Sequence, residues 1–160
     1  MAENVALPLE QQNFDKNAKS DLAYKYLRLV GLNGYENYYP LQLSGGMQQR
    51  VAIARALAID PDILLMDEPF SGLDELTARK LRHELIRIWQ ETGKTILFVT
   101  HSISESAFLS QQVLIVSHKP ATIFKHISID LPYPRQYGDL QLFEIETNLT
   151  RDFLGMDSNQ

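Results

Sequence analysis

The chain has 160 residues, of which 44% are apolar and 22% charged, with a formal net charge of −5 and no cysteine. This length and balance are those of one folded domain, or of a large part of one, and they allow a sizeable buried core. The acidic charge argues against nucleic acid as a partner, and the lack of cysteine excludes disulfide bonds and cysteine-ligated zinc.

Helical and strand-like segments alternate along the chain. A weak, proline-interrupted helix at 3–12 precedes helices at 16–30, which Gly31 ends, and at about 44–58. The later elements, in order, are a buried strand at 62–67, a helix at 74–91, a buried strand at 95–100, a short helix at 104–110, a strand at 112–116, a hairpin arm or two edge strands at 121–131, and an amphipathic helix at 138–154. This alternation predicts an α/β fold with a mostly parallel sheet.

No segment of the sequence predicts membrane insertion or export. No apolar run approaches the ~20 residues that span a bilayer. The N-terminus carries an early acid and no basic region, which a signal peptide would have. We therefore expect a cytosolic protein that reaches a membrane only through a partner.

The Gly-Lys-Thr at 93–95 resembles the end of a phosphate-binding P-loop. A P-loop also needs a glycine five residues before Gly93, where this chain has Ile88. A P-loop runs from strand to helix, whereas this segment runs from a predicted helix to a predicted strand. Gly93 is therefore expected to be a helix C-cap.

The stretch LSGGMQQR at 43–50 begins a helix in a way that suits an anion. Ser44 is a favourable N-cap because its hydroxyl can accept a hydrogen bond from a first-turn amide. Gly45 and Gly46 carry no side chain over the first amides, so an oxygen can come close. These residues predict a phosphate contact, although the chain contains no P-loop.

Two carboxylates follow the apolar strand residues ILLM. Asp67 and Glu68 stand at the strand's C-terminal end, where ligands bind in open α/β sheets. Asp67 could hold Mg²⁺ while Glu68 orients and deprotonates a water, a function worth roughly 10²–10⁴ in rate. A strand that merely ends in acidic residues explains the same pattern equally well.

Other polar residues have simple structural explanations. Asp74, at the end of SGLD (71–74), is a good N-cap for the long helix, and His101 stands just past a strand end. His83, His118 and His126 lack metal-ligand spacing and are interpreted as surface residues.

The order of these motifs resembles the ATP-binding-cassette (ABC) ATPases over nearly the whole chain. The resemblance implies that Ser44, Gly45 and Gly46, with Gln48, contact the γ-phosphate of ATP bound to the opposite subunit of a head-to-tail dimer. It further implies that Asp67 serves the Mg²⁺ site and that Glu68 is the base that polarises the attacking water. It assigns Ser71, Gly72, Leu73 and Asp74 to a loop across the dimer interface, and His101 to the γ-phosphate as the switch histidine.

The chain departs from the family pattern in three places. Met47 stands where the family often has glutamine, and Ser102 follows the histidine where aspartate is common. The family's P-loop, adenine-stacking aromatic and glutamine loop precede the segment seen here. The resemblance therefore implies the back part of an ABC ATPase domain, a partial P-loop NTPase. The missing P-loop strand would lie between the strands at 95–100 and 112–117, and its absence should leave unpaired strand edges and exposed apolar surface. We expect the isolated chain neither to bind ATP tightly nor to hydrolyse it.

The tail at 117–135 resembles the ATPase subunits of nitrate, sulfonate and taurine importers. That likeness implies a membrane permease as partner, a solute-binding protein acting indirectly, and a peripheral location on the inner face of the membrane. The resemblance to ABC ATPases divides the chain into a helical signature subdomain (1–58), a remainder of the RecA-like core (59–131) and a C-terminal extension (132–160). Two alternatives stay open: a non-hydrolytic half-site that completes a partner's ATP site, and a truncated, inactive fragment. DNA-maintenance ATPases share LSGG and the acidic pair, but the acidic charge and the lack of heptads argue against them.

Overall fold

The computed structural model describes residues 1–117 and 119–157. The chain divides into two compact units, Met1–Val99 and Thr100–Gln160. The three-part division expected from the sequence remains a prediction. Within the described residues, none of the helices combines the length and the apolar character needed to cross a bilayer.

Helices form most of the first unit. The helices predicted at 16–30, 44–58 and 74–91 are all present, with ends within one residue of the prediction, and the weak helical piece at 3–12 is a short α-helix followed by a 3-10 turn. The elements are α1 (Ala2–Ala6), a 3-10 helix (Leu7–Gln11), α2 (Lys16–Leu29), a 3-10 helix (Pro40–Gln42), α3 (Gly45–Leu57), β1 (Ile63–Asp67), α4 (Glu75–Thr92) and β2 (Thr95–Val99).

Local capping fixes where these helices begin and end. The Asp15 carboxylate accepts a hydrogen bond from the Ala18 amide at 2.8 Å and so starts α2. Gly93 ends α4 in the left-handed region at φ +64°, and its amide donates to the Trp89 carbonyl at 2.8 Å. The prediction that this Gly-Lys-Thr is a helix end and not a P-loop is confirmed.

The core of the first unit lies among its helices. α1, α2 and α3 pack on one another, and α3 also contacts α4. The side chains that are most completely buried are aliphatic, as expected for a core that excludes water: Val5, Leu9, Leu27, Val30, Leu32, Ala54, Leu57, Leu81 and Ile88.

The two strands of the first unit form a parallel pair with one exposed face. β1 and β2 align Leu65 with Leu97 and Asp67 with Val99. Leu64 is buried, but Leu65 is 71% exposed and Leu97 is 55% exposed. The prediction of fully buried strands was therefore wrong, because continuous apolar residues were taken as two covered faces and only one is covered here.

The second unit contains α5 (Ile103–Leu109), β3 (Gln112–Val116), β4 (Ile123–Ser128) and α6 (Leu140–Asp157). β3 and β4 pair antiparallel, with an irregularity between Ile115 and Val116. The predicted hairpin arm at 121–131 is thus a single strand whose partner is β3. The α/β class is confirmed, although the described strands form one parallel and one antiparallel pair instead of a single mostly parallel sheet.

Both strand pairs have unpaired edges, as the sequence predicted. In the described part of the chain β2 pairs only with β1, and β3 only with β4.

His83 and His126 are exposed, as expected, whereas the prediction for His118 falls outside the described residues.

The PYPR segment organises the second unit around a buried arginine. Arg135 is 2% exposed, and its guanidinium lies 4.3 Å from the centroid of the Tyr133 ring. It donates hydrogen bonds to the carbonyls of Leu131, Ala107, Phe108 and Ser110. Because the last three lie at the C-terminal end of α5, the arginine satisfies carbonyls that the helix itself leaves without partners.

Candidate functional site

The first turn of α3 has the capping geometry that the sequence predicts. Ser44 is extended, and its hydroxyl accepts a hydrogen bond from the Met47 amide at 3.4 Å, while its carbonyl accepts from the Gln48 amide at 2.9 Å. The amides of Gly45 and Gly46 stand at the first two helical positions and have no partner within the helix. Ser44 and Gly45 are exposed, so this helix end could receive an anionic oxygen.

Gly46 is buried, for a reason that the sequence did not reveal. A β-carbon at Gly46 would lie 2.7 Å from Cγ2 of Thr77, and a β-carbon at Gly45 would lie 3.3 Å from Cδ2 of Leu73. The first distance is shorter than carbon atoms tolerate, so no side chain fits at Gly46 unless Thr77 moves. The two glycines therefore also allow the start of α4 to approach the start of α3.

The loop Ser71–Asp74 is joined to α4 by an N-cap. Asp74 accepts a hydrogen bond from the Thr77 amide at 3.0 Å. The pKa of Asp74 is lowered below its ordinary value, first by the hydrogen bond with the Thr77 side chain and then by the hydrogen bond from the Thr77 backbone amide. The predicted structural role of Asp74 is confirmed, and the loop that precedes it lies beside the LSGG glycines.

The two carboxylates stand where β1 turns away from the sheet. Asp67 is exposed, and Glu68 is half-buried with a positive φ of 46°. The Glu68 amide donates to the Val99 carbonyl at 2.9 Å, and the Glu68 carbonyl accepts from the Ser71 amide at 3.1 Å. The backbone thus passes through a left-handed residue at the strand end, a conformation that non-glycine residues adopt at a cost.

The exposed carboxylate of Asp67 has the chemistry of a Mg²⁺ ligand. Proteins bind Mg²⁺ through one or two carboxylates together with substrate phosphates and water. In residues 1–117 and 119–157, no cluster of three or more His, Cys, Asp or Glu side chains could hold a metal by itself. A single exposed carboxylate therefore fits a magnesium ion that arrives with a nucleotide better than a resident metal site.

Gln48 is engaged with the loop before α3. Its side-chain nitrogen donates to the carbonyls of Pro40 at 3.0 Å and Leu43 at 3.2 Å. These bonds hold the chain that leads into the capping serine. The contact with phosphate that the resemblance implies for Gln48 stays a prediction.

His101 belongs to the second unit and is exposed. Its neighbours form the start of α5: the Ser102 hydroxyl accepts from the Glu105 amide at 3.3 Å, and the Thr100 hydroxyl donates to Glu105 Oε2 at 2.5 Å. Glu105 is buried. His101 therefore directly precedes the N-cap of α5, in a segment whose backbone is held by hydrogen bonds.

Comparison with known proteins gives the family. The ABC transporter family model matches residues 1–71. An uncharacterised ABC transporter ATP-binding protein of Methanocaldococcus jannaschii is 48% identical over 141 residues, which are 88% of this chain and 53% of that protein. The chain belongs to the ABC transporter ATP-binding family.

Two further relatives carry names that specify an import function. This ABC chain is 44% identical to the aliphatic sulfonates import ATP-binding protein of Bacillus cereus, over 94% of the chain and 59% of the relative. It is 47% identical to the taurine import ATP-binding protein of Rhizobium johnstonii, over 86% of the chain and 52% of the relative. The chain thus spans a little over half the length of the relatives it matches.

A solved structure of the family has the same fold over most of the chain. It is the dimeric, post-hydrolysis structure of an ATP-binding cassette bound to ADP and phosphate, and the match has a TM-score of 0.63 at 35% identity. The match covers 79% of this chain and 55% of that one. This likeness confirms the ABC ATPase fold expected from the sequence.

Proposed function

We propose that this chain is the signature-bearing part of the ATPase subunit of an ABC importer for sulfonates, taurine, nitrate or related solutes. Relatives named as importers of these solutes support the class. In the importer, ATP hydrolysis in a pair of ATPase subunits would drive solute uptake through a membrane permease, which receives its solute from a binding protein. The permease would hold the chain at the inner face of the membrane.

The observation that carries this proposal is the close approach of the start of α3 and the loop Ser71–Asp74 within one compact unit. The exposed start of α3, at Ser44 and Gly45, lies beside Leu73 of the loop Ser71–Asp74. A helix N-terminus with free amides favours a phosphate, and a second subunit would bring one with its bound ATP. A solved relative that is dimeric and holds ADP and phosphate supports this arrangement.

The chemical roles follow from the residue types. In the proposal Ser44, Gly45, Gly46 and Gln48 contact the γ-phosphate bound to the other subunit. Phosphoryl transfer depends on positioning and on stabilising charge, so bound Mg²⁺ would supply charge neutralisation between the phosphates.

The remaining roles fall on the chain's own nucleotide. Asp67 would hold the Mg²⁺, Glu68 would accept the proton of the attacking water, and His101 would donate a hydrogen bond to the γ-phosphate. The sequence of 160 residues contains no GxxxxGK[ST], so the P-loop for this site must come from another segment or chain.

The test is a chimera in which the P-loop-bearing segment of the Bacillus cereus sulfonate relative is joined ahead of Met1. We expect the chimera to hydrolyse ATP in the presence of Mg²⁺ and the 160-residue chain alone not to do so. The matched control, Glu68→Gln in the chimera, keeps the size of the side chain and should lower kcat by roughly 10²–10⁴. A chimera that folds but has no Glu68-dependent hydrolysis would contradict the proposal.

A second candidate is a half-site that completes a partner's ATP site without hydrolysing ATP itself. The first unit has the start of α3 and the loop beside it, but its sequence has no P-loop. This combination favours the half-site. Adding the 160-residue chain to a chimera inactivated by Ser44→Arg separates the alternatives. A half-site should restore hydrolysis, whereas a truncated, inactive fragment should not.

A further inference from the structure

Thr77 contacts both candidate nucleotide-facing elements of the first unit. Its Cγ2 lies 2.7 Å from the position of a β-carbon on Gly46, at the start of α3. Its amide donates to Asp74 Oδ1 at 3.0 Å, at the end of the loop Ser71–Asp74. The same residue therefore packs against the signature helix and anchors the loop.

Threonine suits this position because its methyl and hydroxyl groups are attached to one stiff carbon. A β-branched side chain in a helix has few χ1 rotamers, so the methyl cannot move without moving the hydroxyl. The Thr77 side chain also interacts with Asp74 and contributes to the lowered pKa of that carboxyl. Serine would lack the methyl that faces Gly46, and valine would lack the hydroxyl.

A second contact runs parallel to the first. Leu73, within the loop, has Cδ2 at 3.3 Å from the position of a β-carbon on Gly45. Two successive glycines of α3 thus face two side chains, Leu73 and Thr77, that flank the Asp74 cap. Two contacts on consecutive residues restrain a rotation of the loop about the helix as well as a translation.

We propose that Thr77 is a positioning residue that holds the loop Ser71–Asp74 and the first turn of α3 at a fixed spacing. The inference rests on the proposed function, in which both elements face the nucleotide of a second subunit. In this role Thr77 acts through its contacts with Gly46 and Asp74. A displacement of about 1 Å in such elements costs on the order of 10²-fold in rate, so a modest loss of spacing becomes measurable in kcat.

The first experiment tests the contact in the 160-residue chain and needs no activity. Gly46→Ala should lower the urea midpoint, because its methyl meets Thr77 Cγ2. In the Thr77→Ser background the same Gly46→Ala change should raise the midpoint, since alanine is the better helix former once the methyl is gone. The matched control is Gly155→Ala in α6, where a β-carbon meets nothing within 4 Å, and it should raise the midpoint in both backgrounds.

The second experiment measures ATP hydrolysis in the chimera described above. Thr77→Ser and Thr77→Val should each lower kcat by about tenfold to 10²-fold while the KM for ATP stays unchanged, because the P-loop that binds ATP is not altered. Thr92→Val removes a hydroxyl from the other end of α4, where it donates to the Ile88 carbonyl at 2.7 Å, and should leave kcat unchanged.

The outcomes separate this inference from the proposed function. An equal loss from Gly46→Ala in both backgrounds overturns the contact. Full kcat in both Thr77 variants overturns the positioning role while the proposed function stands. If the unsubstituted chimera does not hydrolyse ATP, the proposed function and the positioning role both fail, even where the stability cycle supports the contact.

Discussion

Arg135 donates a hydrogen bond of 2.7 Å to the carbonyl of Ala107, which lies 28 residues earlier in the chain. The arginine is buried with carbonyl oxygens as its hydrogen-bond acceptors, and burial lowers its pKa from the ordinary value. The C-terminal end of a helix carries partial negative charge, which compensates a buried cation. The PYPR segment therefore acts as a cap that holds the end of α5 in the second unit.

Replacing this arginine should destabilise the second unit strongly. Arg135→Met leaves several buried carbonyls without donors, and we expect a loss of about 3 kcal/mol in the free energy of unfolding. Arg135→Lys keeps the charge but loses the planar fork, so its loss should be smaller. Urea denaturation followed by circular dichroism measures both. Arg151→Met, at an exposed position on α6, is the matched control and should change stability by less than about 0.5 kcal/mol.

The left-handed backbone at Glu68 should carry a measurable cost. Glu68→Gly should be more stable than Glu68→Ala by about 1 kcal/mol, because only glycine adopts a positive φ without steric strain. At Lys80, an exposed position inside α4, the order should reverse, and the glycine variant should be less stable than the alanine variant by about 1 kcal/mol. Equal stability of the two variants at position 68 would remove the evidence for strain.

Features set by neighbouring residues could be predicted from the sequence. The N-caps at Ser44 and Asp74 and the C-cap at Gly93 depend on two or three adjacent residues, and each was predicted correctly. The long helices α2, α3, α4 and α6 followed from the spacing of their apolar residues. The acidic pair was placed correctly at the end of β1, because it directly follows the apolar residues ILLM.

The pH dependence of the Asp74 cap has a definite sign. Its pKa is lowered from 3.8 by the Thr77 side chain and amide, so the ionised carboxylate stabilises the fold above that ordinary value. This contribution should be lost as the pH falls through the lowered pKa. An NMR titration of the Asp74 carboxyl measures the shift directly, and Thr77→Val should move the pKa back toward 3.8. A titration of the unsubstituted chain at or above 3.8 would contradict the prediction.

The exposed face of β1 and β2 should make the 160-residue chain self-associate. Leu65 and Leu97 lie side by side there, with Ile63 and Val99 on the same face. A contiguous apolar patch beside an unpaired strand edge favours association. Leu65→Lys with Leu97→Lys should shift sedimentation toward monomer with little change in the free energy of unfolding. Leu41→Lys is the matched control, since Leu41 is 97% exposed outside the sheet, and it should leave sedimentation unchanged.

Features set by distant residues could not be predicted. The contact of Thr77 with Gly46 depends on how α3 crosses α4, and the spacing of residues along either helix does not state the crossing. The burial of Arg135 has no local signature, because its acceptors are backbone carbonyls that every residue carries. Exposed apolar surface was expected where the P-loop strand is missing, but not on the face that carries Leu65 and Leu97. An apolar run predicts apolar neighbours on both faces of a strand and does not say whether they are present.

The most direct test of the central claim asks whether Ser44 of one chain contacts the ATP that is bound to another chain. Two inactive chimeras are mixed, one carrying Glu68→Gln and the other Ser44→Arg. In a mixed dimer, the subunit with Ser44→Arg keeps Glu68, and its partner supplies an intact Ser44. The proposal predicts that mixing restores about a quarter of the unsubstituted activity, since half of the dimers are mixed and each has one working site. A mixture as inactive as its separate components would contradict the claim that the start of α3 completes the ATP site of a second subunit.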